Sequence, residues 1–499
     1  MALSRPVGKV SANRRTHSRI RDIVCAMTTE IDSFPSAALR GVWGAEGRDR
    51  IHLADDPGYD AARLSWSLAV DQRPMAVAEP RTVDEISSLV RAAVLSGLRI
   101  APQTTGHQAA PLASRGLEDV VLLRTGGLDR VSVDAERGVV RVEGGAVWAP
   151  VVDAVAAHGR AVLHGSSPDV GVAGYTLGGG IGWYARKHGM AANSLVAAEV
   201  VIGDGTLVRA DAETNASLFW ALRGGGGSFG VVTALEFATF DIPTAYAGMM
   251  LWDLADIEPV LREWAAWAPT APDAVTTSFR ALQLPPIPEM PDFLRGRRLA
   301  AIDGAILGTD EEANELLAGL RALRPEVDTF DRMPSAALVR LHMDPEGPTP
   351  GVSRSSMLAT LPDAGVDAFL AAAGPDADST LLASELRQLG GALGRPAEGA
   401  GALSHLEAEF ILFGVGVAAT PEMATRAGAD AAALVASCSD VAAQRPYLNF
   451  CDEPVETRTA YGEERWQQLK GIRSAVDPFG VFAACHPVPR LWEGGAPTA

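Results

Sequence analysis

Apolar and polar residues alternate most regularly around residues 80–97, where they predict a helix. Thr82 and Glu85 have the spacing of a capping box at its start, and Gly97 is expected to end it. The apolar stripe between them comprises Ile86, Leu89, Val90, Ala93 and Val94. The segment PMAVAE before the helix and a short strand over 99–101 complete a β-α-β start.

Strand patterns dominate from residue 120 to residue 240. VVLLR is one strand, and AERG joins RVSVD and VVRVEGG as a hairpin. A helix is predicted over 147–157, and a second hairpin turns at Asp204 and Gly205. SLFWALR reads as a short helix, with a strand starting at Val231.

From about Ile242 the sequence becomes alanine-rich and interrupted by prolines, which indicates a second domain. The predicted divisions are a disordered arm over 1–36, a first domain over 37–241, a second over 242–444, and a return to the first over 445–490. In the second domain SHLEAEFILFGV reads as a strand with His405, Glu407 and Glu409 on one face. A helix is expected before Asp477 and Pro478.

Charge and cysteine content exclude several classes of partner and site. The 61 acidic and 43 basic residues give a net charge of -18, which disfavours nucleic acid and an anionic membrane. No apolar run is long enough to span a bilayer, and the basic start lacks the apolar segment of a secretory signal. Cys25, Cys438, Cys451 and Cys485 lack metal-site spacing, so we expect unpaired thiols, no metal and a cytoplasmic location.

Two glycine-rich loops, around 165–182 and at 224–227, suggest main-chain amides turned toward an anion. The Gly-Lys-Ser/Thr of a nucleotide-binding P-loop is absent, and the glycines at 178, 180 and 182 lack dinucleotide-fingerprint spacing. There is no H-E-x-x-H motif, and Pro168 breaks a G-x-S-x-G reading. Taken singly, the loops also fit glycines that serve packing alone.

Five motifs in order change that balance: QTTGHQ, GSSPDVGVAGYTLGGGIGWYARKHGM, LFWALRGGGGSFGVVT, YLNF and DPFGVF. Together they resemble the berberine bridge enzyme-like family, FAD-linked oxidases of the vanillyl-alcohol oxidase (PCMH-type) superfamily. The resemblance covers about 70–240 and, more weakly, 445–485. It implies an α+β fold: a PCMH-type FAD-binding domain of two α+β subdomains, and a substrate domain whose antiparallel sheet is covered by helices.

The resemblance also implies how FAD is held. His107 stands where relatives attach the flavin 8α-methyl, and an imidazole is a reasonable nucleophile for that bond. Ser167 replaces a cysteine that many relatives bond to flavin C6, so FAD is expected to be tethered through His107 alone. The expected FAD contacts are Gln103, Thr104, Thr105, Gly106, His107, Gly165, Ser166, Ser167, Val170, Gly171, Gly174, Tyr175, Gly180, Asn193, Val232, Tyr447 and Asn449.

The catalytic base is the point at which this chain departs from its relatives. Relatives often end the Tyr-x-Asn-Tyr motif in a basic tyrosine, whereas Phe450 cannot accept a proton. The candidates for a replacement base are Tyr447, Glu409, Glu407 and His405. The alternative for Tyr447 is a packing role, and the alternative for the other three is a solvent-exposed face of a strand.

The activity implied is hydride transfer from a small organic substrate to flavin and then to O2, which gives H2O2. Val170 stands where relatives with valine admit O2. A dehydrogenase with another acceptor and a flavin-binding protein without turnover stay open as alternatives. Substrate and oligomeric state are not predicted.

Overall fold

A computed structural model describes residues 39–288 and 290–493 as three β-sheets with helices around them. The arm predicted over 1–36 lies outside the described residues. The strands are β1 Ile51–Leu53, β2 Ala76–Ala78, β3 Arg99–Gln103, β4 Val120–Arg124, β5 Val131–Asp134, β6 Val139–Glu143, β7 Leu195–Val201, β8 Leu207–Asp211, β9 Val231–Ala238, β10 Thr244–Asp253, β11 Val275–Gln283, β12 Arg298–Ile306, β13 Val327–Asp328, β14 Asp331–Pro334, β15 Gly351–Leu358, β16 Leu381–Gln388 and β17 Phe410–Val417.

The α-helices alternate with these strands along the chain. They are α1 Gly44–Gly47, α2 Tyr59–Ala62, α3 Val83–Ser96, α4 Ala110–Ala113, α5 Trp148–Ala156, α6 Val172–Leu177, α7 Ala185–His188, α8 Ala216–Leu222, α9 Ile257–Trp267, α10 Asp310–Ala322, α11 Asp363–Ala373, α12 Pro421–Ser437 and α13 Glu463–Val476. This mixture of helices and separate sheets confirms the predicted α+β class.

The first sheet has the order β1-β2-β4-β3, and α3 packs its apolar stripe on it. The helix begins and ends as predicted, because the Thr82 hydroxyl accepts the Glu85 N–H and Gly97 adopts φ +67°. The capping-box prediction is only half right. The Glu85 carboxylate accepts from the Arg81 N–H and from Arg50 instead of closing back on Thr82.

The second sheet, β5-β6-β9-β7-β8, contains both predicted hairpins. Its core also receives the last part of the chain, since Trp466 and Leu469 of α13 are buried with Leu222 of α8. Near the C-terminus, Phe482 bridges to Ile100 of the first sheet. Segments from the beginning and the end of the described chain therefore build the two smaller sheets together.

The third sheet is antiparallel, with β13-β10-β12-β11-β16-β17-β15 in order and β14 paired to β10. Helices α9 to α12 cover one face, where Trp264, Phe279 and Phe369 are fully buried. The opposite face is joined to the segment after the first glycine loop. There the Arg186 guanidinium donates to the carbonyls of Leu389 at 2.7 Å and Val275 at 2.5 Å.

The prediction of a strand from residue 404 is wrong for its first six residues. Pairing with β15 and β16 begins only at Phe410, opposite Leu358 and Gln388. Before it the chain turns back through Gly390 and Gly391, both with positive φ, and Leu406 N–H donates to Leu393 O. Residues 404–408 therefore run alongside a turn and do not extend the sheet, whereas the main chain of Glu409 still bonds to its edge, donating to Leu358 O and accepting the Leu389 N–H.

Within residues 39–288 and 290–493, no helix is both long and apolar enough to cross a bilayer. Over the same residues, no cluster of three or more His, Cys, Asp or Glu side chains is arranged to hold a metal ion.

Candidate flavin site

The loop after β3, Thr104–Gln108, lies directly against the first glycine loop. A Cβ placed on Gly171 would lie 2.8 Å from the Thr104 Cβ, closer than side-chain carbons pack. Glycine at 171 therefore allows the two loops to meet. Gln108 fixes the far end of its loop by donating to Leu448 O at 2.5 Å and Cys451 O at 2.9 Å.

The polar groups left over at this junction fit a cofactor such as FAD. Among hydrogen bonds within the described chain, none uses the amide N–H of Thr105, Gly106 or His107. A Cβ on Gly174 would meet open space, so the main chain there is approachable. The buried Tyr175 Oη also has no partner in the part of the chain described. Free amides beside glycines are donors for a diphosphate.

His107 is held in one orientation by two neighbours. Its ring stacks on Trp66 with centroids 4.0 Å apart and planes 26° apart. Its Nε2 lies 3.4 Å from the Asp169 carbonyl and 3.7 Å from the Asp169 carboxylate. Burial lowers the pKa of His107, outweighing the opposite effect of Asp169, so the imidazole is neutral near pH 7. A neutral ring is required of a nucleophile.

Among the described residues, no histidine or lysine side chain hydrogen-bonds to either serine that follows Gly165. Ser167 is buried, and its hydroxyl donates to the Asp169 carboxylate at 3.1 Å. Ser166 is half-buried, as is Val170, which packs beside the core of the second sheet. Ser167 thus supports Asp169.

Residues of the YLNF motif contact the far end of the glycine loop. The Tyr447 hydroxyl oxygen accepts the Gly180 N–H at 2.8 Å and the Asn449 amide at 3.2 Å. Asn449 also donates to Tyr175 O at 2.8 Å. Burial raises the pKa of Tyr447, so it stays a neutral phenol near pH 7. These contacts give Tyr447 a structural part in joining the segments.

Other predicted FAD residues lie around this junction with contacts of their own. Gln103 exchanges amide hydrogen bonds with Gln72 and accepts from Arg124. The Thr104 hydroxyl lies 3.0 Å from that of Thr125. Val232 lies in β9, and its carbonyl would collide with a Cβ on Gly144. Asn193 lies in the 3₁₀ turn Ala191–Ser194, near Gly189.

The structure does not bring His405, Glu407 and Glu409 to this junction. The side chains of Glu407 and Glu409 are both exposed. Glu407 lies 3.5 Å from His405 and 3.4 Å from Arg445, as ion pairs at a surface do. The predicted partly buried carboxylate base is therefore wrong for both glutamates. His405 Nδ1 is occupied by the Ser404 hydroxyl at 2.8 Å.

A buried group of charges on the third sheet was missed by the sequence reasoning. We call Arg280, Asp303, His342, Glu385 and Arg387 the charged cluster. The Asp303 carboxylate lies 2.5 Å from Arg280 and 2.8 Å from His342 Nδ1, and Glu385 lies 2.7 Å from Arg387 and 3.6 Å from His342 Nε2. All five side chains are at most 12% exposed.

The ionisation of the charged cluster follows from its contacts. Burial and Arg280 oppose protonation of His342, but nearby carboxylates, Asp303 first, outweigh them and raise its pKa to about 9. Burial alone would raise the pKa of Glu385, yet Arg387 and His342 hold it well below its usual range. At neutral pH His342 is therefore protonated and Glu385 is a carboxylate.

The charged cluster faces the glycine-loop junction. The Arg387 guanidinium lies over the Phe450 ring, 5.5 Å from its centroid, and the His342 ring lies 5.7 Å from that of Trp183. The Ser278 hydroxyl, cross-strand from Arg387 and Asp303, is buried without a partner among the described residues. The available signal was charge inside apolar strands, as in AAIDGAIL and TTSFRALQ.

Comparison with known proteins agrees with this geometry. A family described as "FAD binding domain" matches residues 74–211. Glucooligosaccharide oxidase of Sarocladium strictum is 34% identical over 222 residues, 44% of this chain and 44% of that protein. (R)-6-hydroxynicotine oxidase of Paenarthrobacter nicotinovorans is 31% identical over 199 residues, 40% of this chain and 43% of that protein. The matches span less than half the length of these relatives.

Similarity of structure extends over most of the chain. The wild-type Physcomitrella patens berberine bridge enzyme-like protein 1 superposes with a TM-score of 0.78 at 22% identity, covering 89% of this chain and 98% of that one. A glucooligosaccharide oxidase from Acremonium strictum, described as carrying 6-S-cysteinyl, 8α-N1-histidyl FAD, gives 0.73 at 23% identity, covering 88% and 96%. The chain therefore contains a segment, residues 74–211, that matches an FAD binding domain, and it has the fold of the berberine bridge enzyme-like proteins.

Proposed function

We propose that the chain is an FAD-dependent oxidase, with FAD covalently attached through His107 alone. The observation that carries the proposal is the neutral His107 imidazole, stacked on Trp66 beside unused main-chain amides. A relative of the same fold is described as having histidyl FAD, and it also has the cysteinyl bond that Ser167 cannot make. When bound, the flavin would accept a hydride from substrate and pass two electrons to O2.

The substrate is proposed to bind between the glycine-loop junction and the charged cluster. Arg387 and the unpartnered Ser278 hydroxyl supply hydrogen-bond donors on that wall, while Phe450 supplies an apolar ring. Such a wall suits a small polar molecule with hydroxyl groups. Oligosaccharides are the first class to test, because several curated relatives are named as their oxidases.

The residues of this wall would orient the substrate, not serve as a strong base. Glu385 is held as a carboxylate by two cations, and His342 carries its proton at neutral pH. Charges that already have their final positions before the reaction starts can stabilise the charge that develops on a substrate hydroxyl as hydride leaves. These contacts support a mechanism in which the Glu385 carboxylate is at most a weak base and the fixed charges of the cluster orient the substrate.

The test is anaerobic bleaching of the purified holoenzyme. Oligosaccharides, aromatic alcohols and amines are added in turn while the flavin absorbance is followed, and air is then admitted. The proposal expects at least one class to bleach the flavin, with rapid return of colour and one H2O2 per turnover. Bleaching with slow return in air would indicate a dehydrogenase, and bleaching by dithionite alone would indicate a flavin-binding protein without turnover.

A further inference from the structure

Asp169 connects three parts of the chain through its two carboxylate oxygens. One oxygen accepts the Trp66 Nε1–H at 2.6 Å and the Gly347 N–H at 2.8 Å, and the other accepts the Ser167 hydroxyl at 3.1 Å. Three donors are enough to fix the orientation of the carboxylate. The oxygen that accepts from Ser167 also lies 3.7 Å from His107 Nε2.

These contacts select one tautomer of His107. The groups near Nε2 are the Asp169 carbonyl and carboxylate, which can only accept hydrogen bonds. The hydrogen of the neutral ring therefore belongs on Nε2, and Nδ1 keeps its lone pair. Trp66 holds the plane of the ring by stacking while its indole N–H holds Asp169, so one residue positions both partners.

We propose that Asp169 positions His107 for covalent attachment of FAD and accepts the Nε2 proton as the bond forms. This inference rests on the proposed tether at His107. Asp169 acts through His107 and is a positioning residue for the attachment, and it has no part in substrate oxidation. The arrangement resembles a carboxylate that orients a catalytic histidine, with the flavin methyl carbon in place of a substrate.

The attachment balances with O2 as oxidant. A C–H bond of the 8-methyl group and the Nε2–H bond of His107 are broken, and one bond forms between the methyl carbon and Nδ1. Two electrons and two protons pass to O2, which becomes H2O2. Alkylation at Nδ1 turns the neutral ring into an imidazolium cation, which returns to neutrality by losing the Nε2 proton, and a fixed carboxylate within 4 Å can accept that proton.

The variant Asp169→Asn distinguishes acceptance of the Nε2 proton from a purely structural role of the side chain. An amide keeps the size of the side chain, and its oxygen can still accept from Trp66 and Gly347, but it cannot take a proton. Asp344→Asn is the matched control, because the charge of Asp344 also raises the pKa of His107 without touching its ring. Trp66→Phe keeps the stacking and removes one donor to Asp169.

The measurement is the rate of covalent attachment. Protein from riboflavin-limited cells is incubated with FAD in air, and denatured samples are followed by intact mass between pH 6 and 9. We expect Asp169→Asn to bind FAD but to link it at least tenfold more slowly, with a rate that rises with pH as hydroxide replaces the carboxylate. Asp344→Asn should link at the wild-type rate, and Trp66→Phe should lie between.

Equal rates for the wild type and Asp169→Asn would overturn the inference and leave the tether intact. Absence of linked FAD in the wild type would overturn the tether itself, and the inference with it. If Asp169→Asn does not fold, Trp66→Phe decides: slowed linking with retained FAD binding supports the inference, and an unchanged rate contradicts it.

Discussion

Removing the Asp303 carboxylate is the sharpest perturbation of the charged cluster. Asp303 is fully buried in β12 and contacts Arg280 at 2.5 Å and His342 at 2.8 Å. Asp303→Asn preserves the shape of the side chain but leaves two buried cations without their nearest anion. Breaking a buried ion pair in this way costs about 3 to 5 kcal/mol of stability.

The same substitution should change how stability depends on pH. The folded protein holds a proton on His342 up to about pH 9, whereas the unfolded chain releases it near the usual value of 6.5. The raised pKa of His342 therefore adds up to about 3 kcal/mol to the free energy of unfolding. This contribution is fully present below pH 6.5 and is lost as the pH rises through 9. Without Asp303 the pKa of His342 falls, so much of this slope should disappear.

The assay is urea unfolding at pH 7 and pH 9.5, followed by tryptophan fluorescence, since Trp252 and Trp264 are buried in the core of the third sheet. Asp367→Asn is the control, because Asp367 lies at the same 2.5 Å from Arg262 but on the surface, where such pairs contribute about 0 to 1 kcal/mol. A loss for Asp303→Asn no larger than for the control, or an unchanged pH slope, would refute the reasoning.

Three further predictions concern the flavin and the substrate. Gly171→Ala should lower FAD occupancy several-fold, measured by absorbance of the purified protein, because its Cβ would lie 2.8 Å from that of Thr104; Gly471→Ala, with open space at its Cβ, should not. Val170→Leu should slow reoxidation by O2 at least tenfold in stopped flow and leave the reduction rate unchanged. Arg387→Lys keeps the charge but loses the planar fork, so KM should rise about tenfold while FAD stays attached.

Local sequence patterns were enough for much of the fold. The Thr82 cap, the Gly97 stop and the turn at Asp204 and Gly205 are decided by neighbouring residues, and each occurs where the pattern places it. The segment 404–409 was misread for the opposite reason. Its alternation is that of a strand, but the partner strands end at Leu358 and Gln388, opposite Phe410, and only tertiary structure reveals that limit.

The site shows the same division between local and long-range information. Motif order alone singled out His107, yet the partners that orient it, Trp66 and Asp169, are 41 residues before and 62 residues after it. The charged cluster joins strands far apart in sequence, from Arg280 in β11 to Arg387 in β16. A single charged residue inside an apolar strand indicates a buried charge, but which residue it pairs with depends on the register between strands.

The most direct test of the account is the intact mass of the denatured wild-type protein beside that of His107→Ala. We predict that the wild type carries one FAD through denaturation, and that the variant carries none although it still binds FAD before denaturation. Linked FAD in the variant, or its absence from a wild type saturated with FAD in air, would contradict the assignment of His107 as the single tether.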